Sequence, residues 1–438
     1  MAFTTPGLRS PLLLILITLF AVMFPLDKAT AERVFLAGYK DGFYLKSEQE
    51  GGMELHLGGA FQIDYRYYGE EARADNRFDI RRARLAFRGQ LTRWFRFGLE
   101  YEFQGSETSN LVDAYGEAVI AGLHALRFGQ FKEPFSLEWQ TTDKAVPFAE
   151  RSMGYYLTPM RDIGLMLHGT LGQDRVNYAI GLFNGDGDDG SSRGTERDTP
   201  EMAARLVLKP FGATPINWLK RLQIGGSATY GSIDLTNVNL QVKSTGMAGL
   251  NRSLYVLTHN TKFGVLQSVD ERTRSALEMG WACGPLALQA EYIHLIYTGL
   301  RPVTGPPRDA AFSSWYASVL YCPTGEHPVF SGGVMKPIYP QRFFNPAEGT
   351  FGALCLAARI EHFSGDETWI QDDAFVSVRE ADAVSFAVNW ILYPMHRIIF
   401  DYTYTDFSDP IRVRVRPDGI VDYVEDESVF TVRLSMDF

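Results

Sequence analysis

The chain has 438 residues, with 42 Lys and Arg against 52 Asp and Glu, a formal charge of −10, and 13% aromatic residues. That acidic balance excludes nucleic acid as a partner, because such binders carry a basic footprint. After residue 31 no apolar run reaches 18 residues, which excludes membrane-spanning helices, and no linker divides the chain into the two soluble β domains that length alone would suggest.

Residues 1–31 have the build of a secretory signal peptide. Arg9 supplies a positive start, Leu12 to Phe24 an apolar core of 13 residues, and Ala29-Thr30-Ala31 a small-x-small cleavage site. The core is too short to span a bilayer. Cleavage after Ala31 removes Arg9, Lys28 and Asp27 and leaves 40 basic and 51 acidic residues, a charge of −11. Residues 32–53 are expected to form an N-terminal periplasmic lead-in, and 54–438 one all-β domain.

Sixteen segments of alternating apolar and polar residues follow: 54–68, 78–91, 95–105, 113–121, 124–132, 163–171, 176–184, 202–210, 221–232, 274–283, 286–298, 312–322, 352–363, 383–393, 397–407 and 429–438. The tight turns Thr92 to Trp94, Gly122 to Leu123, Gly172 to Arg175, Gly284 to Pro285 and Pro394 to His396 each follow an even-numbered segment. Connections after odd-numbered segments are longer and more polar. Short turns on one side and long loops on the other are the pattern of an outer-membrane antiparallel β-barrel with periplasmic termini. Residues 211–220 and 323–351 break it, the latter as a large periplasmic segment or as a missed hairpin. A further strand-like stretch, Leu254 to Phe263, alternates poorly and is assigned to an outer loop.

In hydrocarbon no water satisfies unpaired backbone groups, so a sheet spans the bilayer only by closing on itself. The last segment, FTVRLSMDF, should therefore pair with the first around Leu55 to Tyr67, with Phe438 at the interface. Parity sorts the faces. Leu57, Phe61, Ile63, Tyr65 and Tyr67 look outward and Gln62, Asp64 and Arg66 inward. In the second segment Ala83, Leu85, Phe87 and Gly89 are on the oily parity, so Arg82, Arg84 and Arg88 line the lumen; an arginine facing mid-bilayer would cost about 2–4 kcal/mol. Phe95, Phe97, Leu99, Tyr101 and Phe103 face out and Arg96, Glu100 and Glu102 in, which sets Arg84 opposite Glu100 or Glu102. Two readings follow: an ion-pair network that stiffens the wall, or, with Arg66, Arg82, Arg88 and Arg127 in local excess, a positive stripe.

The connection from Glu133 to Asp162 follows the fifth segment and is long for a hairpin. Lys132, Lys144, Arg151 and Arg161 lie in or beside it, with Thr141 and Thr142. Folded inward it would form a cationic constriction; left outside, these are solvated charges. Cys283, Cys322 and Cys355 show no metal-like spacing and read as small apolar residues rather than as one disulfide and a free thiol. The acidic stretch Gly185-Asp-Gly-Asp-Asp-Gly190 fits no calcium-loop pattern. The histidines, among them His294 and His362, form no catalytic grouping, so neither an enzyme nor a cofactor is expected.

The blocks Arg127-Phe-Gly-Gln-Phe-Lys-Glu-Pro-Phe135 and Pro147-Phe-Ala-Glu-Arg-Ser152 resemble the phosphate-selective porins (porin O and P type) of Gram-negative outer membranes. So do Phe78-Asp-Ile-Arg-Arg-Ala-Arg84, Arg161-Asp-Ile-Gly164, Leu182-Phe-Asn-Gly185, Thr324-Gly-Glu326 and Asn389-Trp-Ile-Leu-Tyr393. The resemblance implies a homotrimer of sixteen-stranded barrels in the outer membrane, bordered by lipid and lipopolysaccharide, whose water-filled channels pass phosphate or other small anions along an arginine ladder narrowed by an inward third loop. It carries over most directly to Arg81 and Arg82, and further to Arg66 and Arg127. The alternative within the class is a general, weakly selective porin.

Overall fold

The structure, a computed structural model, describes residues 34–39, 42–48, 52–104, 110–120, 124–185, 200–232, 239–248, 252–258, 260–261, 264–268, 270–302, 305–370, 377–415 and 419–438. The expected signal peptide, the turn at Gly122 to Leu123 and the acidic residues 186–190 lie outside them.

Among the described residues the wall has sixteen strands: β1 (Glu54–Tyr68), β2 (Arg77–Thr92), β3 (Phe95–Glu102), β4 (Leu111–Val119), β5 (His124–Lys132), β6 (Arg161–Leu171), β7 (Val176–Phe183), β8 (Glu201–Leu208), β9 (Gln223–Ser232), β10 (Glu271–Cys283), β11 (Leu286–Pro302), β12 (Arg308–Tyr321), β13 (Ala353–Ser364), β14 (Glu380–Tyr393), β15 (His396–Val415) and β16 (Val421–Asp437). Each pairs antiparallel with its neighbours, and β16 closes the ring on β1 from Val429 opposite Tyr68 to Asp437 opposite Ala60. The pairing of the two chain-distant ends removes the free edge that would otherwise template aggregation. Each of the sixteen expected segments has its strand. The largest boundary difference is the last hairpin, where β15 and β16 reach Val415 and Val421, well beyond 407 and 429.

Parity holds along the wall. In β16, Thr431, Arg433, Ser435 and Asp437 are buried inside while Phe430 is exposed outside. In β1, Gln62, Asp64 and Arg66 are buried and Tyr67 is exposed. One local departure matters. Gln62 sits opposite Arg82 but Ile63 sits opposite Ile80, so Arg81 is an extra residue in β2. Such a bulge resets the alternation. It turns two consecutive arginines to the lumen and leaves Phe78 and Ile80 exposed on the outer face.

The two irregular connections after even strands behave differently. Residues 211–220 lead into a single 3-10 turn, Leu219–Arg221. Residues 323–351 contain two short ladders, Phe330–Ser331 with Val334–Met335 and Phe344–Asn345 with Thr350–Phe351, neither of them in the wall. The strand count therefore stands, and the segment is a long connection between β12 and β13 at the end of the barrel that carries the tight turns. At its root Cys322 and Cys355 form a disulfide, which corrects the reading of both as apolar fillers; Cys283 remains a free thiol. The physical reason is register: Tyr321 pairs with Leu356, which sets the two cysteines face to face one step further along the same ladder.

The chain before β1 also forms a hairpin, Phe35–Tyr39 with Phe43–Ser47. Its second strand continues along the edge of β1, Leu45 opposite Leu55 and Phe43 opposite Leu57, where β16 has ended. In the loop after β9, Asn239–Lys243 pairs with Ser253–Thr258 outside the wall ladder, as expected of an outer-loop element. It turns inward, burying Leu240, Val242, Leu254, Tyr255 and Leu257 against Phe135, Met153 and Leu157.

Candidate functional site

The connection from Glu133 to Asp162 crosses the lumen. Ser136 caps a one-turn helix, Leu137–Gln140, by accepting the Trp139 N–H. The helix's first amides donate across the barrel to Glu291 of β11, Leu137 N at 2.5 Å and Glu138 N at 2.7 Å. Further on, Met153 N donates to Glu361 of β13 at 2.7 Å and Ala149 N to Asp401 of β15 at 3.1 Å. Arg397 of β15 donates to the carbonyls of Val146 and Asp143 at 2.9 and 2.6 Å. The loop's backbone, which a strand ladder does not satisfy, is thus satisfied by wall side chains, as buried polar groups require.

Two arginine clusters meet this loop on its other side. In the first, Glu150 accepts from Arg81 at 2.8 and 3.0 Å, Arg66 at 2.6 Å and Arg433 at 3.0 Å. Asp64 also binds Arg66 and Arg433, each at 2.7 Å. Three guanidinium groups surround two carboxylates. In the second, Asp143 lies 3.1 Å from Arg82, 3.1 Å from Arg84 and 2.6 Å from Arg151. Arg84 is directly opposite Glu102, as expected, and binds it at 2.7 Å and Glu100 at 3.3 Å. Arg88 shares Glu100. Burial alone would lift the carboxyl groups of Asp143 and Glu150, but Arg82 and Arg151 beside the first, and Arg81 and Arg433 beside the second, hold both well below the usual carboxylate range.

Arg127 lies on the neighbouring wall, 2.7 Å from Glu117 and stacked 4.2 Å over the Tyr115 ring. The two lysines are different. Lys132 donates to the Trp139 carbonyl at 2.6 Å and lies 4.4 Å over that indole, with no carboxylate partner among the described residues. Lys144 has neither a hydrogen bond nor an ion pair among them. Both line a cavity of about 380 Å³ whose wall carries Arg84, Arg88, Arg127, Lys132, Lys144 and Arg161 against Glu100, Asp113, Asp143 and Asp437, six cationic side chains against four acidic ones.

All nine candidate cations, Arg66, Arg81, Arg82, Arg84, Arg88, Arg127, Lys132, Lys144 and Arg151, therefore lie on the lumen side of the wall or on the inward loop. Arginine and carboxylate are woven together, however, and Asp143 and Glu150 answer much of the surplus that the wall sequence alone presents. Sequence reasoning missed these two, and it missed Arg205, Arg272, Arg274, Arg359 and Arg397 on β8, β10, β13 and β15. The parity signal was available for the wall arginines, since each occupies a wet-face position. Nothing local marks Asp143, and Glu150 stands in the block Pro147 to Ser152 with no charge partner legible from its neighbours.

A family profile described as phosphate-selective porin O and P matches residues 55–438. Porin O of Pseudomonas aeruginosa is 25% identical over 390 residues, covering 80% of this chain and 84% of the relative. Among solved structures, an anion-selective porin from Comamonas acidovorans aligns with TM-score 0.53 and 12% identity, over 88% of this chain and 100% of that one. OmpT of Vibrio cholerae, in a trimer form, aligns with TM-score 0.50 and 10% identity over the same shares. A ring closed on sixteen strands and a profile match across nearly the whole of it lead to one conclusion: this chain is an outer-membrane porin and belongs to the family of phosphate-selective porins O and P.

Proposed function

We propose that this porin is a diffusion channel selective for small anions, phosphate among them, and that it works as a homotrimer exported through a signal peptide cleaved after Ala31 and bordered by outer-membrane lipid and lipopolysaccharide. The observation that carries the reading is the unequal pairing at the constriction. Six cationic side chains face four acidic ones around the cavity, and Lys132 and Lys144 have no carboxylate partner there among the described residues. Guanidinium groups stay charged at every working pH and offer forked donors that fit phosphate oxygens, so they replace part of an anion's hydration shell. Because each is also held by a carboxylate, no single site binds tightly, and a chain of moderate sites conducts where one deep site would trap. The passage needs no cofactor, and the anion moves down its gradient from Lys144 and Arg82 past Arg84 toward Arg127.

A general, weakly selective porin is the second reading, favoured by how fully Asp143 and Glu150 offset the arginines. Reversal potentials in asymmetric KCl across a planar bilayer separate the two. The anion reading expects chloride preference, reduced roughly threefold in Lys144→Gln by loss of one unit charge acting through water, and block of chloride current by added phosphate. Cation preference in the parent channel overturns it.

A further inference from the structure

The hairpin that precedes β1 extends the barrel wall at the end that carries the tight turns. Its second strand, Phe43–Ser47, occupies the edge of β1 that β16 leaves free, with Phe43 opposite Leu57 and Leu45 opposite Leu55, and its first strand, Phe35–Tyr39, pairs onto the second. The turn between them lies against the C-terminus: Gly42 has φ 125°, and a Cβ there would come within 3.0 Å of the Leu57 carbonyl oxygen and 3.3 Å of the Phe438 carboxyl carbon. The hairpin is therefore a continuation of the wall sheet. It precedes residue 55, where the family match begins.

Because register and pleat are shared with β1, facing carries over. Leu55 and Leu57 are on the outward parity of β1, so Phe43 and Leu45, and beyond them Tyr39, Ala37 and Phe35, look outward as well. Phe35, Tyr39, Phe43 and Leu45 are all exposed, with the Tyr39 and Phe43 rings edge to face at 5.1 Å, while Ser47 on the same parity is buried. The opposite face is different. There Lys46 lies 3.8 Å from Glu54, His56 lies 2.7 Å from the same carboxylate, and the Tyr44 ring packs with His56 at 6.1 Å; Leu36 is the one large aliphatic on it. The hairpin thus repeats the division of the barrel wall, oily outside and polar inside, on residues that precede the ring.

Two observations fix its depth. Leu55 pairs with Gly89, two residues before exposed Leu91, and the tight turn that follows carries exposed Trp94, a residue type that gathers at the membrane boundary. No strand pairs beyond Phe35–Tyr39 among the described residues, so its outer backbone groups need water, which the hydrocarbon core does not hold. Left in bulk water, in turn, a contiguous apolar face on a free edge is an aggregation hazard. An oily face beside an unpaired edge fits the boundary between acyl chains and head groups. We propose that this hairpin is a lipid-docking element, whose outward face of Phe35, Tyr39, Phe43 and Leu45 rests on the phospholipid leaflet that borders the tight-turn end of the barrel, with Tyr44 and Lys46 turned to the aqueous side. The inference rests on the reading of the wall's outer face as bordered by lipid, and adds to it a contact made by residues outside the ring.

The test uses the full chain refolded into phosphatidylcholine vesicles, with the Cys322–Cys355 disulfide intact and Cys283→Ser to remove the free thiol. A bimane fluorophore is attached in turn through Phe43→Cys, Leu45→Cys, Lys46→Cys and, as a reference on the outer face of β10, Leu277→Cys. Folding of each is checked by heat-modifiable gel mobility. The quenchers are phospholipids carrying a nitroxide near the head group or at the chain end, and aqueous iodide. Expected is quenching by the head-group nitroxide several-fold stronger at Phe43 and Leu45 than at Lys46, the signature of a face seated about 5–10 Å into the boundary, with iodide in the opposite order. Iodide that reaches Phe43 and Leu45 as freely as Lys46 overturns the proposal. Shielding of both from iodide and nitroxide alike also overturns it, since a second copy of the chain would then cover the face. If the Leu277 label is quenched by lipid nitroxide and the Phe43 and Leu45 labels are not, the docking of the hairpin fails alone; if none of the three is quenched, the lipid-bordered reading of the wall fails and the docking falls with it.

Discussion

The barrel wall and the loop that crosses its lumen solve the same problem, the burial of charge, in opposite ways. On the wall a cation meets its carboxylate on the next strand: Arg84 binds Glu102 only 18 residues away, and Arg127 binds Glu117 at a distance of 10. In the loop the partners are remote, with Glu150 and Arg433 separated by 283 residues and Glu138 and Arg359 by 221. Wall pairing is a consequence of the pleat, which fixes facing and register together. Loop pairing exists only once the ring has closed, so its charges are stable in one architecture and costly in any other.

The contrast is broken most severely at Glu150. Glu150→Ala leaves Arg66 and Arg433 on Asp64 alone and takes from Arg81 the carboxylate it forks onto, and loss of one partner from a buried ionic cluster costs about 3–5 kcal/mol. A lowered urea midpoint for unfolding of the refolded barrel in detergent should report it, and a loss below about 1 kcal/mol would mean that the loop does not depend on this charge. The pH dependence has a definite sign. Glu150 is held below its usual range by Arg81 and Arg433, so its contribution is fully present above the unfolded carboxylate value, near 4. It is lost only as pH falls through the lower folded value. The difference in urea midpoint between the parent and Glu150→Ala should therefore be unchanged between pH 7 and about pH 5.

On the wall the corresponding break is one of facing. Leu277 lies at the middle of β10 and is 68% exposed on the outer side, while Arg274, three residues earlier, is buried on the lumen side. Leu277→Arg should destabilise the barrel by about 2–4 kcal/mol in lipid, the cost of an arginine at mid-bilayer. Refolding yield and urea midpoint in vesicles are the measurements; an unchanged midpoint would place Leu277 away from acyl chains.

How much of this was legible follows from the same contrast. All sixteen strands, the closure of β16 on β1 and the facing of Arg82, Arg84 and Arg88 were readable because a period of two carries that information residue by residue. Arg81 was not readable by alternation, since the bulge that turns it inward depends on how β1 and β2 register against each other. The inward course of 133–162 was open for a related reason: its partners Glu291, Glu361 and Asp401 read individually as ordinary wet-face strand residues. Cys322 and Cys355 were misjudged because 33 residues of chain conceal that they neighbour each other across one ladder.

The finest test lies within a single strand. Arg84 and Arg88 occupy the same lumen parity of β2, but Arg84 is mostly buried among Glu100, Glu102 and Asp143, whereas the Arg88 side chain is 52% exposed and shares only Glu100. An exposed ion pair is screened by water and salt and contributes at most about 1 kcal/mol. Arg88→Ala should therefore leave the urea midpoint nearly unchanged, while its removal of one cavity-lining cation still lowers chloride preference in reversal-potential measurements. If Arg88→Ala instead destabilised the barrel as severely as Glu150→Ala, the wall and the loop would not be separate networks, and the cations of β2 would have to be counted as one cooperative structure with the charges that cross the lumen.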